Sequence, residues 1–261
     1  MIMKTVLTIA GSDCSGGAGI QADIKTITVH KLYAMSVITA LTAQNTMGVS
    51  SIYEVSPDFV AEQLDRVFTD IRPDAVKIGM VSDKSMIEAI AEKLRYYQAD
   101  KVVLDPVMVA TSGSRLMKQD AIELLHRKLI PLATVITPNI PEAEVLTGLT
   151  IETKEEIRKA AERIAETYSG YILIKGGHLE ESSDDLLYRM GELHWFTQSN
   201  IDNPNSHGTG CTLSSAIACN LALGRNIPES IALAKEYLTG ALKAGLNLGR
   251  GKGPLNHCYL L

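Results

Sequence analysis

Short apolar runs rich in Val and Ile alternate with amphipathic helical patterns along most of this chain. Thr5–Gly11, Ala75–Met80, Lys101–Val107, Thr134–Asn139 and Tyr171–Gly177 are such runs, each ending in Gly, Asp, Pro or Asn, and they read as strands buried on both faces. Between them, Asp58–Ile71 places Val60, Leu64, Val67, Phe68 and Ile71 on one helical face. Ser82–Tyr97, Gln119–Leu129 and Lys154–Tyr168 follow the same pattern, the last opening on a Thr153/Glu156 capping box. Strand–helix alternation of this kind predicts an α/β fold, with parallel strands joined by right-handed crossovers and helices on both faces. Asp185–Thr197, with Met190-Gly191 between two alternating segments, predicts an antiparallel hairpin near the sheet edge. Thr209–Gly224 and Pro228–Gly249 read as helices rich in small residues. With no linker, low-complexity tract or repeat, residues 1–261 are expected to form a single domain.

Composition narrows the partners. A net charge of −5 gives no basic stripe, which argues against nucleic acid. No segment approaches the ~20 apolar residues of a membrane span. The run from Met3 to Ala10 reads as a buried first strand rather than a signal peptide. Four cysteines, Cys14, Cys211, Cys219 and Cys258, lie outside any zinc-type spacing and fit a reducing cytoplasm.

Open α/β sheets bind ligands beyond the carboxyl ends of their strands. Here those ends carry Gly11-Ser12-Asp13, Gly79-Met80, Asp105-Pro106-Val107, Thr137-Pro138-Asn139 and Lys175-Gly176-Gly177-His178. An Asp, an Asn and a Lys terminating three buried strands exceed what turn formation requires. The glycine-rich loop Gly11–Gly19 is neither a dinucleotide fingerprint nor a Walker loop; it reads as a structural turn or a substrate loop, with Asp23 on the following helix able to accept from a substrate hydroxyl or amine. Asn139-Ile-Pro-Glu142 reads either as a helix cap or as a nucleotide site, in which Glu142 holds a Mg²⁺-bound water and Asn139 orients phosphate. Asp105 is a second carboxylate for the same metal region. Lys175, beside two glycines, is a solvated strand end or a phosphate contact. Met80 and Val107 read as an apolar wall or as plain core, and His178 and His207 stay unassigned.

One further stretch, His207-Gly208-Thr209-Gly210-Cys211-Thr212, precedes a small-residue helix. Its backbone N–H groups, at the positive end of a helix dipole, suit a phosphate or developing anion. The same field is expected to lower the Cys211 thiol pKa.

Taken in order, Ala10-Gly-Ser-Asp13, Gly17-Ala-Gly-Ile-Gln-Ala-Asp23, Thr42-Ala-Gln-Asn45, Lys77-Ile-Gly-Met80, Asp105-Pro-Val107, Thr137-Pro-Asn-Ile-Pro-Glu142, Lys175-Gly-Gly-His178, His207–Thr212 and Gly253-Pro-Leu-Asn-His257 cover the chain from end to end. The set resembles the ribokinase-like superfamily and, within it, the hydroxymethylpyrimidine/phosphomethylpyrimidine kinases of thiamine biosynthesis. The resemblance implies a three-layer α/β/α fold, often homodimeric. It also implies ATP- and Mg²⁺-dependent phosphorylation of 4-amino-5-hydroxymethyl-2-methylpyrimidine and then of its monophosphate. Carried over by position, it puts Gly11, Asp23 and Gln44 on the pyrimidine, with Met80 and Val107 against the ring. Gly208, Thr209, Gly210 and Cys211 would form the anion hole, and Asp105, Asn139, Glu142, Lys175 and Thr209 would serve the nucleotide. Glu142 and Asp105 would meet the metal through water. Sugar kinases of the superfamily have an aspartate base where this chain has Cys211, which makes Cys211 the expected base.

The nearest rival is pyridoxal kinase, whose substrate also offers a flat ring and a hydroxymethyl group; Gln44, able to pair with an aminopyrimidine edge, favours the pyrimidine. A non-catalytic binding relative would not need Asn139, Glu142, Lys175 and the Gly208–Cys211 turn together, and a Rossmann dehydrogenase lacks its fingerprint here. Ala110–Arg115 and Glu180–Asp184 are candidate lids.

Overall fold

The computed structural model describes residues 3–108, 117, 119–177, 184–197, 203 and 205–261. His178 and the lid candidates fall outside them, apart from Asp184. Five parallel neighbours form the centre of one nine-stranded sheet: β1 (Thr5–Asp13), β4 (Ala75–Ile78), β5 (Val102–Leu104), β6 (Val135–Ile136) and β7 (Tyr171–Ile174). They stand where the Val/Ile runs predict them. On one edge β8 (Asp185–Arg189) and β9 (Glu192–Phe196) make the expected antiparallel hairpin about Met190-Gly191.

The other edge is a finding. β2 (Tyr33–Asn45) runs parallel to β1 and then pairs antiparallel with β3 (Gly48–Glu54), so the sheet order is β3-β2-β1-β4-β5-β6-β7-β8-β9. Sequence patterning misses both strands for a physical reason. β2 dilutes its Val and Ile with Ala, Ser and Thr, and its outer half projects beyond the core with alternate residues exposed. β3 pairs with β2 at the sheet edge and is exposed over most of its length.

Successive residues of the central strands point to opposite faces, and each face has its own core. Leu7, Ile9, Val76, Ile78 and Leu104 pack against α2 (Pro57–Asp70), α3 (Lys84–Tyr96), α5 (Ile140–Thr147) and α6 (Lys154–Ala165). Val6, Ala75, Val103, Val135 and Leu173 pack against α1 (Gly19–Val29), α7 (Thr209–Ala222) and α8 (Ile227–Lys243). The result is the three-layer α/β/α arrangement. The predicted helix Gln119–Leu129 is interrupted: α4 covers Gln119–Leu124, after which Leu125–Leu129 widens to a π turn and Ile130–Leu132 tightens to a 3₁₀ turn around Pro131. Thr153/Glu156 caps α6 as a capping box. Among the described residues no helix is long and apolar enough to cross a membrane.

Candidate active site

The site is built where α7 meets the ends of β1, β5 and β7. Gly208 caps α7 in the left-handed conformation (φ +87°), and a Cβ there would lie 2.0 Å from the Gly17 carbonyl oxygen, so this contact with the β1 loop requires glycine. No side chain caps the helix, and the N–H groups of Gly210 and Cys211 precede its first internal bond, from Thr212 N–H to the Gly208 carbonyl. They are therefore available to an anion. Gly210 faces the strand ends directly: a Cβ on it would sit 3.3 Å from Asp105 Oδ2 and 3.5 Å from Lys175 Nζ.

Lys175 donates to Asp105 Oδ1 at 2.8 Å, and Thr137 Oγ1 donates to the same oxygen at 3.0 Å. Burial opposes charge on both members of the pair. Asp105 nonetheless holds Lys175 above its ordinary pKa, and Lys175 holds Asp105 below its own. Asn139 bridges to Lys175 across the ends of β6 and β7. The cap reading of Asn139-Ile-Pro-Glu142 is the one observed: Asn139 Oδ1 accepts from Glu142 N–H and Glu142 Oε2 from Asn139 N–H, each at 2.9 Å, forming a capping box on α5. That box leaves the Asn139 Nδ2 end out of the cap and fixes Glu142, only 2% exposed, beside the Lys175–Asp105 pair. Desolvation, which Lys175 opposes and Asp105 reinforces, pushes the Glu142 carboxyl up to about 7.

Among the described residues no three side chains of metal-ligating type cluster together. Two buried carboxylates, one still short of a full charge partner, do not make an all-protein cage. They fit a Mg²⁺ that keeps its waters and is held mainly by substrate phosphates.

Gly11, Gln44, Met80 and Val107 are the residues expected on the acceptor side. A Cβ on Gly11 would meet the terminal Met80 methyl at 2.7 Å, and Met80 and Val107 are only half-buried, as an apolar wall requires. Gln44 lies at the end of β2, its amide between Thr42 Oγ1 (3.0 Å) and His207 Nε2 (3.3 Å).

Two expectations need correction. Asp23 does not face a substrate. It is fully buried, bonded to Lys77 Nζ (3.0 and 2.8 Å), Thr8 Oγ1 (2.6 Å) and Ser215 Oγ (2.7 Å), so any action on the site passes through these partners. Nor is the Cys211 thiol lowered: burial pushes it up to about 11, outweighing the Lys77 charge and the Gly19 backbone N–H that favour a thiolate. The helix-start field is real, but desolvation is larger.

Three residues that the sequence reading named without a role are fixed here by their partners. Asp13 accepts from His207 Nε2 (2.9 Å), Ser15 N–H, Gly17 N–H and Ala18 N–H. Burial opposes its ionisation, but these bonds hold it well below the usual carboxylate range. His207 thereby ties the β1 loop to the α7 turn, and its N–H donates to the Gly253 carbonyl. Lys77 is fully buried, and its placement inside the strand Ala75-Val76-Lys77-Ile78 was the available signal, since a lysine there must have a partner.

Comparison with known proteins decides the family. Residues 13–256 match the family model described as phosphomethylpyrimidine kinase. The chain belongs to the phosphomethylpyrimidine kinase family. It is 52% identical over 97% of its length to the thiamine biosynthesis bifunctional protein ThiED of Geobacter sulfurreducens, and it spans about half (52%) of that relative. It is 48% identical to the hydroxymethylpyrimidine/phosphomethylpyrimidine kinase of Rhizobium meliloti, covering 97% of this chain and 96% of that one. Among solved structures, an ADP complex of Bacillus subtilis pyridoxal kinase superposes with a TM-score of 0.92 at 37% identity, covering 99% of both chains. The family and the ribokinase-like architecture implied by the sequence motifs are thus both found.

Proposed function

We propose that this chain transfers the γ-phosphoryl group of ATP to the hydroxymethyl oxygen of 4-amino-5-hydroxymethyl-2-methylpyrimidine, and then a second phosphoryl to the monophosphate, in thiamine biosynthesis. The observation that carries this reading is the convergence at Gly210, where the uncapped N–H groups of α7 adjoin the Lys175–Asp105 pair. Phosphoryl transfer passes through a loose transition state, so positioned positive groups matter more than covalent help. Gly208, Thr209, Gly210 and Cys211 would receive the transferring group. Lys175 would exchange Asp105 for a phosphate oxygen, and Asn139 Nδ2 would orient the nucleotide phosphates. Mg²⁺, reached through water by Glu142 and Asp105, would neutralise phosphate charge.

Cys211, with its raised thiol, serves this reaction as a neutral group that orients the acceptor hydroxyl rather than as a resting thiolate. Gln44 would pair with the aminopyrimidine edge, with Gly11, Met80 and Val107 around the ring. A chain acting as one catalytic domain over residues 1–261 accords with the single nine-stranded sheet. A homodimer in the cytoplasm completes the reading; the exposed Leu41, Met47, Ile52 and Tyr53 of the β2–β3 edge support such a pairing.

Pyridoxal is the specific rival, because a solved neighbour that superposes at 0.92 is a pyridoxal kinase. Mass spectrometry of products from purified protein with Mg-ATP and the hydroxymethylpyrimidine, with pyridoxal in a parallel reaction, separates them. Pyrimidine mono- and diphosphate are expected. Pyridoxal phosphate with no pyrimidine product would move the acceptor to vitamin B6 and remove the role given to Gln44.

A further inference from the structure

The Lys77–Asp23 pair has no solvent exposure at either side chain, and its placement is specific. Asp23 and Ser215 bond across the α1–α7 interface at 2.7 Å. One helical turn toward the start of each helix stand Gly19 and Cys211. Residues four apart share a helix face, so Cys211 stands about 5 Å along α7 from Ser215, on the side that meets Asp23, with the anion at the lower level and the thiol at the upper. Lys77 enters from β4 at the lower level and binds both Asp23 oxygens. A Cβ on Gly79 would lie 2.7 Å from its Nζ, so the chain turns closely over the ammonium where β4 ends at the site.

Buried ion pairs are poor sources of stability, since apolar replacements of equal shape often fold as well. A pair kept here, where a shape-matched apolar core would serve folding, calls for another reason. Charge develops directly above it during phosphoryl transfer.

We infer that Lys77, clamped by Asp23, is a positioning residue of the reaction, a fixed buried cation beneath the Gly208–Cys211 turn that favours negative charge at Cys211 and at the group bound over it. The inference rests on the proposed phosphoryl transfer for its purpose and its kcat readout, but not for its alkylation readout. Among the described residues the charged groups that act most on the Cys211 thiol are Lys77 from β4, Asp23 from α1 and Asp105 from the end of β5. Lys77 pulls the thiol toward ionisation, and the two carboxylates push against it.

The experiment is the pH profile of iodoacetamide alkylation at Cys211 in the full chain, read by peptide mass spectrometry. The exposed Cys14 and Cys258 serve as internal references. Lys77→Met is expected to slow Cys211 alkylation at a given pH by about tenfold, one pH unit of displacement, and Asp23→Asn to speed it. Opposite signs mark an electrostatic role, because a merely structural one loosens the site and speeds alkylation in both variants. Lys77→Met should also lower kcat at least about tenfold with the acceptor KM nearly unchanged. If single variants do not fold, the double variant Lys77→Met/Asp23→Asn removes both charges at constant shape, and it should keep its Tm while losing kcat. Displacements of the same sign, no displacement, or a folded double variant with wild-type kcat would each overturn the inference. Failure of the kinase assay on the wild type, with the alkylation signs as expected, would instead count against the proposed reaction.

Discussion

Two lysine–aspartate pairs flank the first turn of α7, and they differ in access. Lys77–Asp23 is wholly enclosed, and Asp23 takes further bonds from Thr8 and Ser215, so neither partner can leave. Lys175–Asp105 keeps 16% of the lysine side chain exposed and lies against Gly210, where the helix offers its N–H groups. The same chemistry thus takes two roles. An enclosed pair holds helices in register and fixes a charge; an open pair leaves its cation within reach of a ligand, the role proposed for Lys175.

Breaking the open pair should have the largest effect. Lys175→Met leaves Asp105 buried without its cation and removes a phosphate contact, so kcat/KM for ATP is expected to fall about 10³-fold, roughly 4 kcal/mol. Steady-state ADP release checks it. Next, Gly210→Ala puts a methyl 3.3 Å from Asp105 Oδ2 and 3.5 Å from Lys175 Nζ. Crowding the phosphoryl position should cost about 10²-fold in kcat, while Tm, read by calorimetry, moves little because the helix itself accepts alanine.

The enclosed pair should answer in the opposite way. Thr8→Val withdraws one donor from Asp23 and is expected to lower stability by about 1–3 kcal/mol in urea unfolding with the ATP KM unchanged. A change in nucleotide KM without a change in stability would erase the distinction between the pairs.

The smallest effect concerns pH. Glu142 is raised to about 7 from 4.5, so the folded state disfavours its ionised form; ligand-free stability should decline as pH rises from about 4.5 to 7. Mg-nucleotide, which favours the carboxylate, should bind better over the same window. Glu142→Gln is expected to flatten both trends, giving a Tm difference of a few degrees in a pH series by scanning fluorimetry.

Much of this was legible in the sequence because parallel strands buried on both faces leave continuous Val/Ile runs, and because polar residues at their ends stand out against those runs. Asp105, Asn139 and Lys175 converge for that reason. The β2–β3 edge was not legible, since a strand with little to pack against has no need of a hydrophobic signature. Asp23 was misplaced because a carboxylate in a glycine-rich loop region looks like a ligand group until its partner is known, and that partner, Lys77, lies 54 residues away. The Cys211 pKa failed differently. Helix position can be read from sequence, whereas desolvation depends on which side chains close over the sulfur. The capping box at Asn139 and Glu142 matches the cap reading, and a cap that fixes two polar side chains at a strand end leaves the proposed nucleotide role open to them.

The most direct test of the two-pair account is a crystal structure with a non-hydrolysable Mg-ATP analogue and the hydroxymethylpyrimidine bound. The γ-phosphate is expected on the Gly210 and Cys211 N–H groups, with Lys175 Nζ moved from Asp105 to a phosphate oxygen and Lys77 still on Asp23. Phosphates bound elsewhere, with Lys175 unmoved on Asp105, would contradict it.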